Sequence, residues 1–110
     1  MSKMIQITDA DFEAEVLKSE GPVLVDFFGT WCPPCQRLMP ILDQLSTEYD
    51  GKVKFVKVNT DEQSQWAGKL GVRNLPTLAY YNKGEAVTVE SGLKPPAAIK
   101  KHLDQLISAG

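Results

Sequence analysis

Cysteine is nearly absent from this chain. Two occur in 110 residues, Cys32 and Cys35, and both lie in the stretch W-C-P-P-C-Q. Histidine is scarcer still, with His102 alone. A structural zinc site needs four ligands, so two thiols and one remote imidazole on an expected last helix argue against one. Apolar runs of membrane-spanning length are also missing, and the N-terminal M-S-K-M-I-Q-I-T-D lacks the apolar core of a signal peptide. A cytoplasmic location and no membrane partner are therefore expected. Nor do the basic residues cluster: twelve Lys and Arg are scattered against fourteen Asp and Glu, for a net charge of -2 and a pI near 5.3. A nucleic-acid surface concentrates cations to displace counterions, so no nucleic-acid partner is expected. There is no internal repeat, no Gly-rich phosphate loop and no carboxylate pair spaced for acid-base work. Neither a metal nor a dissociable cofactor is implied.

What remains is a chain with 43% apolar and 24% charged residues, enough for one compact domain over residues 1–110. The apolar period changes repeatedly. A short strand at Met4 to Ile7 precedes T-D-A-D-F-E-A-E-V-L-K, where Thr8 or Asp9 can cap a helix whose face holds Phe12, Val16 and Leu17. After Gly21-Pro22, V-L-V-D-F-F reads as a central strand covered on both faces. The following helix places Leu38, Ile41, Leu42 and Leu45 on one side, with Pro40 expected to kink it. Residues 52–59 alternate as a third strand, and a short polar helix is expected from about Gln63 to Leu70. P-T-L-A-Y-Y and A-V-T-V-E-S flank N-K-G-E, a hairpin signal in which Gly84 supplies the positive φ. Pro95 to Ser108 closes the chain as a helix with Ile99, Leu103, Leu106 and Ile107 on one face. The order βαβαβαββα predicts an α/β fold, a central mixed five-stranded sheet flanked by four helices.

The C-x-x-C pair falls where the central strand hands over to a helix. Cys32 takes the cap position, and Pro33 and Pro34 occupy the first turn, where a missing N–H costs no helical hydrogen bond. A thiol there faces unpaired N–H groups and the positive end of the helix dipole, which favour the thiolate. Such a thiolate can attack a partner's disulfide, and Cys35, one turn behind, can resolve the mixed disulfide. Three other readings remain open. A structural disulfide across so small a loop contributes about 2 kcal/mol and is out of place in a reducing compartment. A zinc site lacks ligands, and a Cys–His nucleophile pair would need His102, expected on a solvated helix face beside Lys101 and Asp104. The redox pair is the reading that the pattern favours.

Over nearly its full length the chain resembles the thioredoxin family, through V-D-F-F-G-T-W-C-P-P-C, P-I-L-D, V-K-V-N-T-D, G-V-R-N-L-P-T-L, N-K-G-E and S-G-L. The resemblance implies a thioredoxin fold and a monomeric protein-disulfide reductase. Its redox element is the Cys32–Cys35 disulfide, with no other cofactor. Oxidised protein disulfides are its implied substrates and a thioredoxin reductase-like flavoprotein its electron donor. It makes Cys32 the nucleophile and Cys35 the resolving residue. It assigns proton transfer to Asp26, whose burial in an apolar strand should raise its pKa, and makes Lys57 the charge partner. It also implies a cis bond before Pro76, which would expose the Leu75 backbone for pairing with an extended partner segment. Trp31, Gly92 and Leu93 would border that surface; the plainer alternatives are a core aromatic for Trp31 and a simple turn before the last helix for Gly92. The chain departs from the commonest family pattern at Pro33 (usually Gly), Phe28 (Trp), Gly29 (Ala), Gln36 (Lys) and Asn74 (Gly). W-C-P-P-C is typical of tryparedoxin and nucleoredoxin relatives and of some bacterial cytochrome-maturation proteins. Two further functions therefore stand beside general disulfide reduction: a dedicated reductant of one peroxidase or sulfur-metabolism partner, and a non-catalytic thioredoxin-like binding subunit.

Overall fold

The computed structural model describes residues 2–109. Its elements follow the order β1 (Ile5–Gln6), α1 (Asp9–Phe12, continuing as a π-helical turn, Glu13–Leu17), β2 (Val23–Phe28), α2 (Pro33–Glu48), β3 (Lys54–Asn59), α3 (Gln65–Lys69), β4 (Thr77–Asn82), β5 (Glu85–Ser91) and α4 (Pro96–Ala109). The five strands form one mixed sheet, ordered β1-β3-β2-β4-β5. β3 runs parallel to both β1 and β2, while β4 is antiparallel to β2 and β5. This is the α/β architecture that the alternation of periods predicts.

Side-chain alternation along β2 explains the two layers. Val23, Val25 and Phe27 point to one face, where they join Phe12, Val16, Val56, Val58, Ala67 and Ala79. Leu24 points to the other, joining Leu38, Leu42, Leu45, Leu78, Ile99 and Leu103. Asp26 falls on Leu24's face by the same alternation, with Leu78 opposite in register. A carboxyl group is thereby placed in a layer otherwise made of aliphatic and aromatic side chains.

Local chemistry sets the element ends. At α1 the Asp11 carboxylate accepts the Thr8 backbone N–H at 3.2 Å and its hydroxyl at 2.9 Å, so Thr8 takes the cap. Asp9 is engaged elsewhere: its carboxylate accepts the N–H groups of Gln65 at 3.1 Å and Trp66 at 3.3 Å. That long-range cap starts α3 at Gln65, two residues later than the sequence pattern suggests, because Gln63 N–H turns back to the Asn59 carbonyl. β1 is likewise shorter than Met4 to Ile7. α2 runs through Pro40 without a break. In the β4–β5 turn both Lys83 (φ 52°) and Gly84 (φ 83°) are left-handed, the two-residue hairpin geometry. On α4 the buried face is Ile99, Leu103 and Leu106, whereas Ile107 is 37% exposed, turned about 100° from Leu106 as successive helical residues must be. His102 does not lie on a solvated face: its ring packs 4.9 Å from that of Tyr80, and Nε2 sits 3.4 Å from a Glu90 carboxylate oxygen. Glu90 also accepts the Tyr80 hydroxyl at 3.1 Å, so the imidazole is held against β4 and β5 instead of reaching a thiol.

Candidate active site

The end of β2, the start of α2, the segment before β4 and the segment after β5 meet at one end of the sheet. Registers require it: Phe28 pairs with Asn59, Phe27 with Thr77, and Thr77 with Ser91. Cys32 is the N-cap of α2, with extended backbone (φ -131°, ψ 96°), and Pro33 and Pro34 follow as the first helical residues. Cys32 and Cys35 are joined in a disulfide with their Cα atoms 5.2 Å apart. The two sulfurs are not equivalent. Cys35 is 2% exposed, while Cys32 is half-buried and reachable from solvent. The Cys35 N–H donates to Cys32 Sγ at 3.2 Å. Because neither proline carries an N–H, it is the first main-chain donor of the helix.

Trp31, Leu75, Gly92 and Leu93 lie in the segments that meet at the Cys32 end of the sheet. Trp31 is 91% exposed, which rules out the core-aromatic reading. The Leu75–Pro76 bond is cis, with Pro76 buried and Leu75 half-buried. The Gly92 N–H donates to the Pro76 carbonyl at 2.8 Å, tying the two loops together, and Leu93 is 42% exposed beyond it. Gly29 measures the closeness of the parts: a Cβ built on it would stand 3.0 Å from Leu75 Cδ1 and 3.8 Å from Cys32 Cβ. Leu75 therefore reaches over the loop that carries Cys32.

Beneath the loop, Asp26 is fully buried, and neither carboxyl oxygen has a hydrogen-bond partner. Burial pushes its pKa up to about 7, and the opposing pull of the Lys57 ammonium is the smaller effect. Lys57 is Asp26's neighbour in the parallel register of β2 and β3. Its ammonium lies 5.9 Å from the Phe28 ring centroid. A carboxyl group poised near neutrality can both take and return a proton at working pH. A cavity of about 390 Å³ opens beside Cys35, lined by Phe28, Gly29, Gln36, Met39 and Asn59 among others. A larger concavity, of about 450 Å³ at Ser2, Asp43 and Thr47, does not touch the cysteines.

One supporting residue was not singled out from the sequence. Asp61 accepts the Thr30 N–H at 2.7 Å, and Asn59 Nδ2 donates to Thr30 Oγ1 at 3.2 Å, fixing the loop just before Trp31. Its only sequence signal is N-T-D directly after a strand, a pattern that suits any Asx turn. Among the described residues, no group of three or more His, Cys, Asp or Glu side chains could hold a metal ion, and no helix is long and apolar enough to cross a membrane.

The thioredoxin family model matches residues 3–105. The chain is 43% identical over 105 residues to "Thioredoxin 1" of Nostoc sp., a match covering 96% of this chain and 98% of that protein. It is 42% identical over 107 residues to a thioredoxin of Synechocystis sp., covering 97% and 100%. A thioredoxin of Haemophilus influenzae is 40% identical over 107 residues, with the same coverage.

Proposed function

The chain belongs to the thioredoxin family and is a thiol-disulfide oxidoreductase, and from that premise we propose how its own residues divide the reaction. The reading is carried by the asymmetry of the Cys32–Cys35 disulfide, one sulfur reachable at a helix N-terminus and the other buried one turn behind it. In the reduced protein, the Cys32 thiolate attacks one sulfur of a partner disulfide; a mixed disulfide forms between Cys32 and that sulfur as the partner's S–S bond breaks, and the partner's other sulfur becomes its first thiolate while the partner stays attached. Cys35 then gives its proton to the Asp26 carboxylate and attacks the Cys32 sulfur, releasing the partner's second thiolate. Two electrons have moved from the protein dithiol to the partner, and Cys32–Cys35 is again a disulfide. Lys57 holds part of the Asp26 population ionised, keeping an acceptor ready for the Cys35 proton.

The partner's extended segment lies across Trp31, the Leu75 main chain beside cis-Pro76, and the Gly92–Leu93 loop. The Leu75 backbone supplies strand-like hydrogen bonds, and the exposed Trp31 and Leu93 supply apolar contact. Pro33 and Pro34 restrict the loop and leave Cys35 N–H to stabilise the Cys32 thiolate. The protein acts as a cytoplasmic monomer on oxidised protein disulfides, with a thioredoxin reductase-like flavoprotein returning electrons to Cys32–Cys35. No other cofactor enters this scheme.

Cys35→Ser removes the resolving thiol, so incubation with oxidised insulin or a cell extract is expected to trap mixed disulfides through Cys32. Wild type, supplied with a generic thioredoxin reductase and its reduced nicotinamide donor, is expected to reduce insulin catalytically. If Cys35→Ser traps no partner while Cys32 still reacts with iodoacetamide, the dithiol scheme is wrong.

A further inference from the structure

Three cations that are dispersed along the sequence lie in the segments that meet at the site. Arg73 lies two residues before Leu75, Lys94 directly follows Leu93, and Arg37 sits in α2 two residues past Cys35. The chain has two arginines, and both are in this set. None of the three forms an ion pair or side-chain hydrogen bond with another described residue. Elsewhere Lys3, Lys54 and Lys100 pair with Asp50, Glu15 and Glu48, and Lys69 lies over the Trp66 ring. Of the other lysines without an ion pair, Lys18, Lys52 and Lys83 belong to the opposite end of the sheet, before β2, before β3 and in the β4–β5 turn, and Lys101 lies on α4.

Most of the acids at the site end are fixed in place by hydrogen bonds, though they keep their charge. Asp9 holds the N–H groups of Gln65 and Trp66, Asp11 holds Thr8, Asp61 holds Thr30, and Glu90 holds Tyr80 and His102. Asp26 is buried. Glu62 is the remaining exposed acid there, on the loop after β3. The segments before β4 and after β5, with Arg73 and Lys94, and the start of α2, with Arg37, present three cations that lack an ion-pair partner among the described residues, two of them planar forks that match carboxylates. Arg73 also borders a shallow groove of about 230 Å³ with Val72, Asn74, Val89 and Ser91. Its lining residues adjoin Leu75–Pro76 and Gly92 in the chain, so a segment leaving the docking rim meets it next.

We propose that this face selects protein disulfides flanked by acidic residues, their carboxylates meeting Arg37, Arg73 and Lys94 while the disulfide meets Cys32. The proposal rests on the dithiol scheme above and names the partner chemistry that its docking rim favours. An exposed ion pair shifts an equilibrium by at most about fivefold, so these cations together should favour an acidic partner by about tenfold at low salt, fading as salt screens them.

Three disulfide peptides, identical but for Glu, Ser or Lys flanking the cysteines, provide the test. The rate constant for reduction by the pre-reduced protein is measured for each at 20 and 500 mM NaCl and normalised to that peptide's reduction by dithiothreitol. The Glu peptide is expected to react about tenfold faster than the Lys peptide at low salt and within about twofold of it at high salt. In the Arg37→Ser/Arg73→Ser/Lys94→Ser variant the ratio should fall to near one, whereas Lys52→Ser/Lys83→Ser should keep it. Equal rates for the Glu and Lys peptides in wild type, or a preference that survives in the triple variant, overturns the proposal. Failure to reduce any of the three peptides overturns the dithiol scheme itself.

Discussion

Asp26 is expected to weaken the fold it sits in, and Asp26→Ala measures by how much. In the unfolded chain the carboxyl group titrates near 4; in the native protein burial raises it to about 7. Below pH 4 both states hold the proton and the residue has no effect on this balance. Between pH 4 and 7 the unfolded chain has lost a proton that the native state keeps, so stability falls as pH rises, by about 1.4 kcal/mol per unit. Above pH 7 both are ionised and the loss levels off at about 4 kcal/mol, three units at about 1.4 each. Alanine removes that burden but leaves a small cavity among Leu24, Leu78 and their neighbours, at a cost of about 1 kcal/mol. The variant should therefore be about 3 kcal/mol more stable than wild type at pH 8, with the gain vanishing or reversing near pH 4. Urea unfolding of the oxidised proteins at pH 4, 5, 6, 7 and 8 follows the difference directly. A difference that stays flat across this range, or a variant less stable at pH 8, would show that the carboxyl group is not held neutral by burial.

Two further substitutions probe the loop and the hairpin. Pro33→Gly returns a main-chain N–H to the neighbourhood of Cys32 Sγ; one added hydrogen bond to the thiolate, about 1 kcal/mol, should make the couple about 20 mV more oxidising. Equilibration against glutathione buffers reads this, and an unchanged or lower potential would refute the argument. At Gly84 a Cβ would stand 2.6 Å from the Leu17 carbonyl oxygen, and φ is +83°, so Gly84→Ala should cost about 2–3 kcal/mol. A loss under about 0.5 kcal/mol in urea melts would mean that the hairpin and the end of α1 separate easily.

Sequence and structure agree best where local pattern is the cause. The near-continuous apolar run of β2, the alternation in β3 and the N-K-G-E turn each follow from period and turn chemistry, and the mixed character of the sheet follows from parallel crossovers closed by a hairpin. The differences share another cause, contact between elements distant in the chain. Asp9 reads as a cap for its own helix, yet it caps α3, because β1 brings it to the same end of the sheet as Gln65. His102 reads as a surface residue beside Lys101 and Asp104, yet the Tyr80 ring and Glu90 hold it, because the β4–β5 hairpin extends under α4. Neither pairing leaves a trace in local periodicity.

The site divides along the same line. Cys32 and Cys35 are legible because their chemistry depends on a spacing of three and a helix start, both local properties. Asp26 was legible as an anomaly, a carboxyl group within V-L-V-D-F-F, but its missing hydrogen-bond partners and its register with Lys57 belong to the sheet. The charge of the docking face lies furthest from the sequence. Arg37, Arg73 and Lys94 span more than half the chain and look like ordinary dispersed cations beside a net charge of -2. Only the folded sheet, by gathering the end of β2, the start of β4 and the end of β5, brings the segments that carry them to one end of the molecule. An approaching partner meets the local arrangement of charge at the site before it meets the net charge of the chain, which is why the flanking-charge series tests the docking face directly.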